Sequence, residues 1–302
     1  MVPSNDEMRR LCPGVPDMDD LFRTPESAIS RHSKHMHLVP PSGKPLKFDF
    51  DGYVLNRVAH DEFLVELAKE SGAEFLINSR VDKVDGQRVV LRNGDSYSAK
   101  IIVDAGGHNG PIRRDYWNEK STKIPVKFVL MDGDFGEAVE LHFGSMAPGG
   151  YAWMFPKEKG ANIGLGIQRN FAKGRSLNQC TEQFISKYNG EVTFNGAGSL
   201  PMSGTIKKFV KGNYMLVGDS AGMVLPSNGA GITIAMIGGR IAGQVITENL
   251  SSGVPLEEYE LRWKKQMGKV MSNSKRSFKL GSLLFRLPDW ILNLMFNRLT
   301  KG

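Results

Sequence analysis

The sequence predicts an α/β fold in which a discontinuous nucleotide-binding type of domain, Rossmann-like in its strand-to-turn segments, holds an inserted antiparallel sheet and ends in a helical tail. Three observations carry this. Two short apolar runs, residues 101–103 and 214–217, empty into Asp104-Ala105-Gly106-Gly107 and Gly218-Asp219, the pattern of strands leaving a sheet at tight turns. Between them, residues 123–168 carry four β-rich runs parted by glycine turns, which read as an antiparallel sheet. Behind the second run, residues 232–250 read as one long buried helix. The chain therefore divides into residues 1–118 and 206–250 for the discontinuous domain, 119–205 for the inserted sheet, and 251–302 for the tail.

In chain order, prolines from Pro13 to Pro45 interrupt any long helix, so residues 1–48 read as irregular. His32, His35 and His37 lie there without Cys or acidic neighbours at ligand spacing, and no metal site is expected. Asp61 reads as the cap of a helix bearing Phe63, Leu64, Leu67 and Ala68, which Gly72 ends, and Phe75, Leu76 and Ile77 open a strand. Asn93-Gly94 between residues 88–91 and 97–103 is a hairpin turn. The runs of the inserted sheet are 126–131, 138–143, 151–155 and 163–167, followed by a helix over 177–188.

A chain of 302 residues with 40% hydrophobic and 24% charged composition buries a sizeable core. The net charge of +7 is local. Residues 262–302 hold ten cations against Asp289 alone, which leaves 29 cations and 31 anions in the first 261 residues. A body of net −2 argues against nucleic acid as partner. In the tail the cations alternate with Leu280, Leu283, Leu287, Trp290, Leu294 and Leu299. That is the pattern of amphipathic helices at an anionic lipid surface, and equally of a helical subdomain with a solvated basic rim. No run approaches the roughly 20 apolar residues of a spanning helix, and the first 13 residues lack a leader pattern. Cys12 and Cys180 are too few for a disulfide framework. A cytoplasmic protein, peripheral at the membrane surface, is expected.

The stretch richest in chemistry is Tyr214-Met-Leu-Val-Gly-Asp219-Ser-Ala-Gly-Met-Val-Leu-Pro226-Ser-Asn-Gly-Ala-Gly231-Ile232. At a strand's carboxyl end, Asp219 can accept hydrogen bonds from hydroxyls such as those of a ribityl chain. Gly229 and Gly231 let a flat ligand approach the free N–H groups of the following helix, whose positive end favours the anion of a reduced flavin. In Pro148-Gly-Gly-Tyr151-Ala-Trp153-Met-Phe155-Pro156, the period of two puts Tyr151, Trp153 and Phe155 on one face, an aromatic wall suited to a long apolar chain. Gly164-Leu-Gly166 and Gly196-Ala-Gly198 lack the third glycine of a dinucleotide loop, Ser220 does not sit in a nucleophile elbow, and Cys12 is left unassigned.

These segments resemble the FAD-dependent geranylgeranyl reductases, within the wider group of flavoproteins that includes aromatic hydroxylases; the resemblance covers most of residues 50–300. Gly52-Tyr-Val-Leu-Asn-Arg57 is similar to the family's arginine motif, Asp104-Ala-Gly106 to its Asp-Gly motif, residues 151–156 to its Tyr-x-Trp-x-Phe-Pro signature, and residues 219–232 to its flavin-ribityl motif. The resemblance implies FAD as cofactor, with contacts at Arg57, Val81, Asp104, Gly106, Asp219, Gly231 and Ile232. It also implies an isoprenoid lipid substrate along Tyr151, Trp153 and Phe155, and NAD(P)H or a ferredoxin-like protein as electron donor. The implied reaction is reduction of C=C bonds in geranylgeranyl chains of archaeal-type glycerophospholipids, with an FAD-dependent monooxygenase or an inactive lipid-binding fragment as alternatives. The family's opening Gly-x-Gly-x-x-Gly unit is not found in these residues. The fold is thus expected in an N-terminally truncated form that exposes strand edges and holds FAD weakly.

Overall fold

The computed structural model describes residues 1–119 and 121–299; Lys301, counted above in the tail, lies outside them. The chain opens with β1 (Val2–Pro3) and the short helices α1 (Asn5–Leu11) and α2 (Met18–Leu21), then forms a hairpin of β2 (Ile29–Val39) and β3 (Leu46–Leu55). Helix α3 (Arg57–Glu70) leads into a meander of β4 (Val81–Asp85), β5 (Arg88–Leu91) and β6 (Ser96–Ser98), followed by β7 (Ile102–Asp104) and α4 (Pro111–Tyr116). Next come β8 (Lys123–Asp132), β9 (Val139–His142), β10 (Ala152–Lys157) and β11 (Gly160–Gly166), then α5 (Leu177–Ile185), β12 (Glu191–Pro201), β13 (Val210–Lys211) and β14 (Tyr214–Leu216). The helices α6 (Ile232–Ser252), α7 (Glu258–Leu284) and α8 (Asp289–Leu299) close it.

Strand alternation builds a large sheet with two different faces. Its order is β1-β3-β2-β9-β10-β11-β8-β12, antiparallel except where β2 runs parallel to β9. Ala152 and Met154 of β10, Ala161, Ile163 and Leu165 of β11, and Val129 and Met131 of β8 point to one face and bury themselves under α5, whose Phe184 is fully buried. The residues between them, Trp153, Phe155, Gly164 and Phe128, point to the other face. Trp153 lies across Gly164, where a Cβ would stand 2.6 Å from the indole, so only glycine leaves room for the ring. α5 starts in a capping box between Ser176 and Gln179, which fixes where the helix lies down on the sheet.

The sheet that holds β7 is smaller, though its core is larger. β14 runs parallel to β7 and antiparallel to β13, and on its other side β7 has no strand partner among the described residues. Met215 and Leu216 of β14 are fully buried with Ile234, Ile237 and Ile241 of α6 and Tyr259, Trp263 and Met267 of α7. A third, small core of Ile124, Met202 and Val224 joins the end of β8 and the residue after β12 to the loop before α6, with Leu200 and Phe278 packed against it.

Several expectations need correction. Residues 1–48 are not irregular: the prolines at 40, 41 and 45 all fall in the turn between β2 and β3, leaving both strands free to pair. The large sheet therefore reaches back before residue 119, because Met36 to Val39 pair with Val139 to His142. Asp61 does not cap its helix; α3 begins at Arg57 behind Asn56, and Asp61 sits a turn inside it as the partner of Arg57. Phe75, Leu76 and Ile77 form no strand and are exposed, since no strand lies beside them to share backbone hydrogen bonds. The hairpin at Asn93-Gly94 forms, but its second run breaks into β6 and β7, which join different sheets. β12 was absent from the expected elements; its glycines and polar residues hide a long edge strand paired with β8.

Because Phe184 packs edge-on to His142 and Tyr188 and fills the space between α5 and the sheet, Phe184→Ala is expected to lower stability by about 3–5 kcal/mol. Urea unfolding followed by far-UV circular dichroism measures this, and a loss below about 1 kcal/mol would contradict the packing described.

Candidate functional site

The site is built where β7 and β14 end side by side. Val217 N donates to the Asp104 carbonyl at 3.0 Å, and the buried Ser220 hydroxyl donates to the same oxygen, so the two strand ends are tied at one atom. The Asp104 carboxylate turns into its own loop, accepting from Gly106 N at 2.8 Å and Arg113 N at 2.9 Å. A Cβ on Gly110 would sit 2.1 Å from that carboxylate, so the loop closes only with glycine there. Asp104 thus shapes the loop with both oxygens, and Gly106 is held by it.

Asp219 is different. Its carboxylate is partly buried just beyond β14 and accepts no hydrogen bond from any described side chain or backbone N–H. Burial pushes its pKa above the ordinary carboxylate value, against the opposing pull of the nearby His108. Close by, α6 begins at Ile232 behind Gly231 without a side-chain cap, so the first N–H groups of a 21-residue helix are left unpartnered by any cap. Gly231 lies against Asp219 and Val224, where a Cβ would stand 3.6 and 3.3 Å from them. A free acceptor, free donors at a helix start and a glycine floor together fit the ribityl hydroxyls and electron-rich edge of a flavin.

The remaining predicted contacts stand apart from this cluster. Arg57 is exposed and bound to Asp61 by two hydrogen bonds, at 3.2 and 2.8 Å. Burial acts upward on Asp61, but the Arg57 hydrogen bond and charge, with His60, hold it below the usual carboxylate range. One turn beyond Arg57, His60 shares a narrow cleft with Tyr53, Ile232 and Thr233, which brings α3 to the start of α6. Val81 lies at the head of the meander, half-buried against the large core.

On the sheet, Tyr151, Trp153 and Phe155 form the predicted wall. Their rings follow one another at centroid spacings of 6.1 Å, and Trp153 Nε1 donates to Asn162 Oδ1 at 2.7 Å, which fixes the indole. Tyr151 and Trp153 line an apolar cavity with Ile124, Val126, Leu200 and Met202. The Tyr151 hydroxyl donates to the Asn228 carbonyl, in the loop between Asp219 and α6, so the aromatic wall and the cluster at Asp219 are physically joined. Burial pushes that hydroxyl up to about 12, which keeps it a neutral donor.

Four features were not singled out from sequence. Phe278 and Phe285 of the tail close the cavity opposite the wall; their spacing of seven, two helical turns, is the signal that marks them as sharing a face. Asn228 is bonded to Tyr151, and Gly164 is the floor beneath the Trp153 ring. His108 Nε2 lies 2.9 Å from Ser199 Oγ, bracing the Asp104 loop against β12; burial and then Lys123 lower its pKa, while Asp219 opposes them. Cys12 is buried, and burial pushes its thiol up to about 11. Among the described residues no cluster of His, Cys, Asp or Glu is placed to hold a metal ion, and no helix is long and apolar enough to cross a membrane.

The chain is similar to known proteins. The family model for the geranylgeranyl reductase catalytic domain matches residues 122–197, the segment that carries the aromatic wall. A digeranylgeranylglycerophospholipid reductase of Methanococcus vannielii is 31% identical over 97% of this chain and 81% of its own length. A second, from Methanothermobacter thermautotrophicus, is 34% identical over 82% of this chain and 69% of its own length. Among solved structures, a geranylgeranyl bacteriochlorophyll reductase-like protein of Thermoplasma acidophilum superposes with a TM-score of 0.78 at 26% identity, covering 89% of this chain and 75% of that one. A probable FAD-dependent monooxygenase of Pseudomonas aeruginosa shares the fold, with a TM-score of 0.66 at 15% identity over 93% of this chain and 84% of its own. With two relatives above 30% identity that it matches over more than two thirds of their length, the chain belongs to the geranylgeranyl reductase family.

Proposed function

We propose that this protein reduces C=C bonds in the geranylgeranyl chains of isoprenoid glycerophospholipids with FAD as its cofactor. The observation that carries this reading is the bond from Tyr151 to Asn228, which sets an apolar, aromatic-walled cavity directly against the cluster at Asp219 and the start of α6. The names of its relatives in the methanogens support it. Bound and reduced, FAD would supply hydride to the alkene, with a proton completing the other carbon, so that each double bond would gain two hydrogens.

The chain's own residues hold and orient. Asp219 would hold the ribityl hydroxyls as an acceptor, and the uncapped start of α6 at Gly231 and Ile232 would offer N–H groups to the flavin. Asp104 and Gly106 keep their loop in shape and would hold the pyrophosphate end of the cofactor, with Arg57 and Val81 assigned to its more distant part. An isolated alkene has no oxygen on which charge builds, so the protein's contribution is alignment and exclusion of water. Trp153, Phe155, Ile124 and Leu200 do this from the sheet, and Phe278 and Phe285 from the tail.

The tail is assigned the lipid contact. Leu280 and Leu283 at the end of α7, and Trp290, Leu294 and Leu299 on α8, are exposed apolar side chains, Trp290 by 68%, and Arg276, Lys279, Arg286 and Arg298 lie among them. Apolar side chains between cations suit the surface of an anionic bilayer.

Four outcomes are expected. An anaerobic assay with chemically reduced FAD should show mass gains of two hydrogens per double bond in a geranylgeranyl glycerophospholipid; an unchanged lipid would refute the reaction. In the same assay Trp153→Ala should raise KM about tenfold or more, since a buried aromatic contact is worth about 1.5–3 kcal/mol, while leaving FAD binding as it was. Asp219→Asn should weaken FAD binding, read by flavin fluorescence, yet raise the melting temperature of the FAD-free protein at pH 7. The sign follows from burial raising the Asp219 pKa above the ordinary 3.8: the destabilising charge appears as pH rises through 3.8 and persists above the folded pKa, so the gain should shrink as pH falls toward 3.8. Finally, the protein should sediment with anionic phospholipid vesicles at low salt and be released by salt or by Trp290→Glu; equal binding to neutral vesicles would overturn the assignment of the tail.

A further inference from the structure

The roomiest cavity described is not the apolar one beside Tyr151. It measures about 220 Å³ and lies at the same end of the large sheet, on the face that carries α5, between the turn joining β2 to β3 and the residues that follow β9. Prolines 40, 41 and 45 with Met146 and Phe143 wall it, Glu140 and His142 line its depth, and Lys187 stands at its side.

Its polar groups are organised around one carboxylate. Glu140 Oε2 is 2.9 Å from His142 Nε2 and accepts from the Tyr188 hydroxyl at 3.4 Å, with that hydroxyl also 3.2 Å from His142 Nε2. Oε1, by contrast, has only His37 Nδ1 near it, at 3.9 Å, too far for a hydrogen bond. Burial acts upward on Glu140, but the hydrogen bond and charge of His142, the charge of His37 and the Tyr188 hydroxyl hold its pKa below the usual value. The cavity thus offers an ionised carboxylate with one oxygen lacking a protein donor, and Lys187, which has no partner among the described residues.

Two further contacts place the cavity beside the lipid path. Phe143, one of its walls, packs against Tyr151 at a centroid distance of 6.4 Å and against Phe296 of α8 at 6.0 Å. Asp289 and Asn293 of α8 hold the cavity's rim, since Asp289 accepts from Ser145 N at 2.9 Å and Asn293 from Ser42 N at 2.8 Å. The helix assigned above to the bilayer surface is therefore bolted to the mouth of a polar cavity, and one aromatic ring separates that cavity from the wall for the isoprenoid chain.

We infer that this cavity binds a phosphorylated polyol, the head group of the lipid substrate, with a hydroxyl donating to Glu140 Oε1 and the phosphate paired with Lys187. The inference rests on the reading of the substrate given above and deepens it: one aromatic residue, Phe143, stands between the subsite for the head and the subsite for the chain.

Calorimetric titration of the full chain with glycerol 1-phosphate tests the site without any turnover. Saturable binding is expected, weakened about tenfold or more by Lys187→Glu, the loss of a charge-assisted bond. Glu140→Gln should weaken glycerol 1-phosphate while leaving inorganic phosphate unchanged. Absence of saturable binding, or equal binding by the Lys187→Glu protein, overturns the site. A second arm separates a lipid head from a free metabolite: Lys187→Glu should raise KM for a geranylgeranyl glycerophospholipid and leave that for geranylgeraniol unchanged. Equal effects on both lipids would overturn the head-group role even if reduction proceeds, whereas failure to reduce either lipid bears on the reaction and leaves the titration to decide the site.

Discussion

Asp104 is the residue on which the site depends. Its carbonyl gathers Val217 N and the Ser220 hydroxyl, so the ends of β7 and β14, more than a hundred residues apart in sequence, are held at one point. Its carboxylate closes the following loop through Gly106 and Arg113. A buried carboxylate so fully engaged is costly to disturb, because losing either partner leaves a charge without compensation in a low-dielectric interior. Asp104 therefore acts as scaffold. Asp219, placed by that scaffold, is the one left open to a ligand.

The large sheet solves a second problem, which is to carry two kinds of surface on one set of strands. Alternation gives α5 a conventional apolar core of Ile163, Leu165, Met154 and Phe184 and gives the opposite face to aromatic rings over glycines. Neither face would tolerate a slip of one residue, since every side chain would change sides. The pairing of Trp153 with Gly164 reinforces the register, because no other residue type opposite the indole leaves it flat. The same two-faced sheet then places an apolar cavity on one side of its end and a polar one on the other, with Phe143 between them.

What could be read from sequence was local. The strands β8 to β11, the helices α5 and α6 and the turn at Asn93-Gly94 each carry their own periodicity or turn chemistry, and all form close to where expected. The strands β2, β3 and β12 were illegible because their faces are largely polar or exposed and their order comes from distant partners: β9 for the hairpin and β8 for the edge strand. Phe75 to Ile77 show the converse, an apolar run that reads as strand but finds no partner. At the site, motif residues such as Asp219 and Tyr151 were legible by kind. The bonds that make them a site, Tyr151 to Asn228 and His108 to Ser199, join segments that only the fold brings together.

The charge of the chain takes on meaning in this frame. The body is nearly neutral, and the excess lies on α7, α8 and the residues just beyond them. Within a single stretch of α7 and the turn after it, Phe278 and Phe285 face the apolar cavity while Leu280 and Leu283 face outward. Were the tail merely a solvated cover with a basic rim, Leu283 and Trp290 exposed among cations would weaken solubility with no compensating contact. In the proposed reading the same residues have a partner on each side, lipid outside and isoprenoid chain inside. A chain drawn past α7 then meets apolar side chains at both ends of that path, Leu283 outside and Phe285 at the cavity, which lowers the hydration cost of leaving the bilayer.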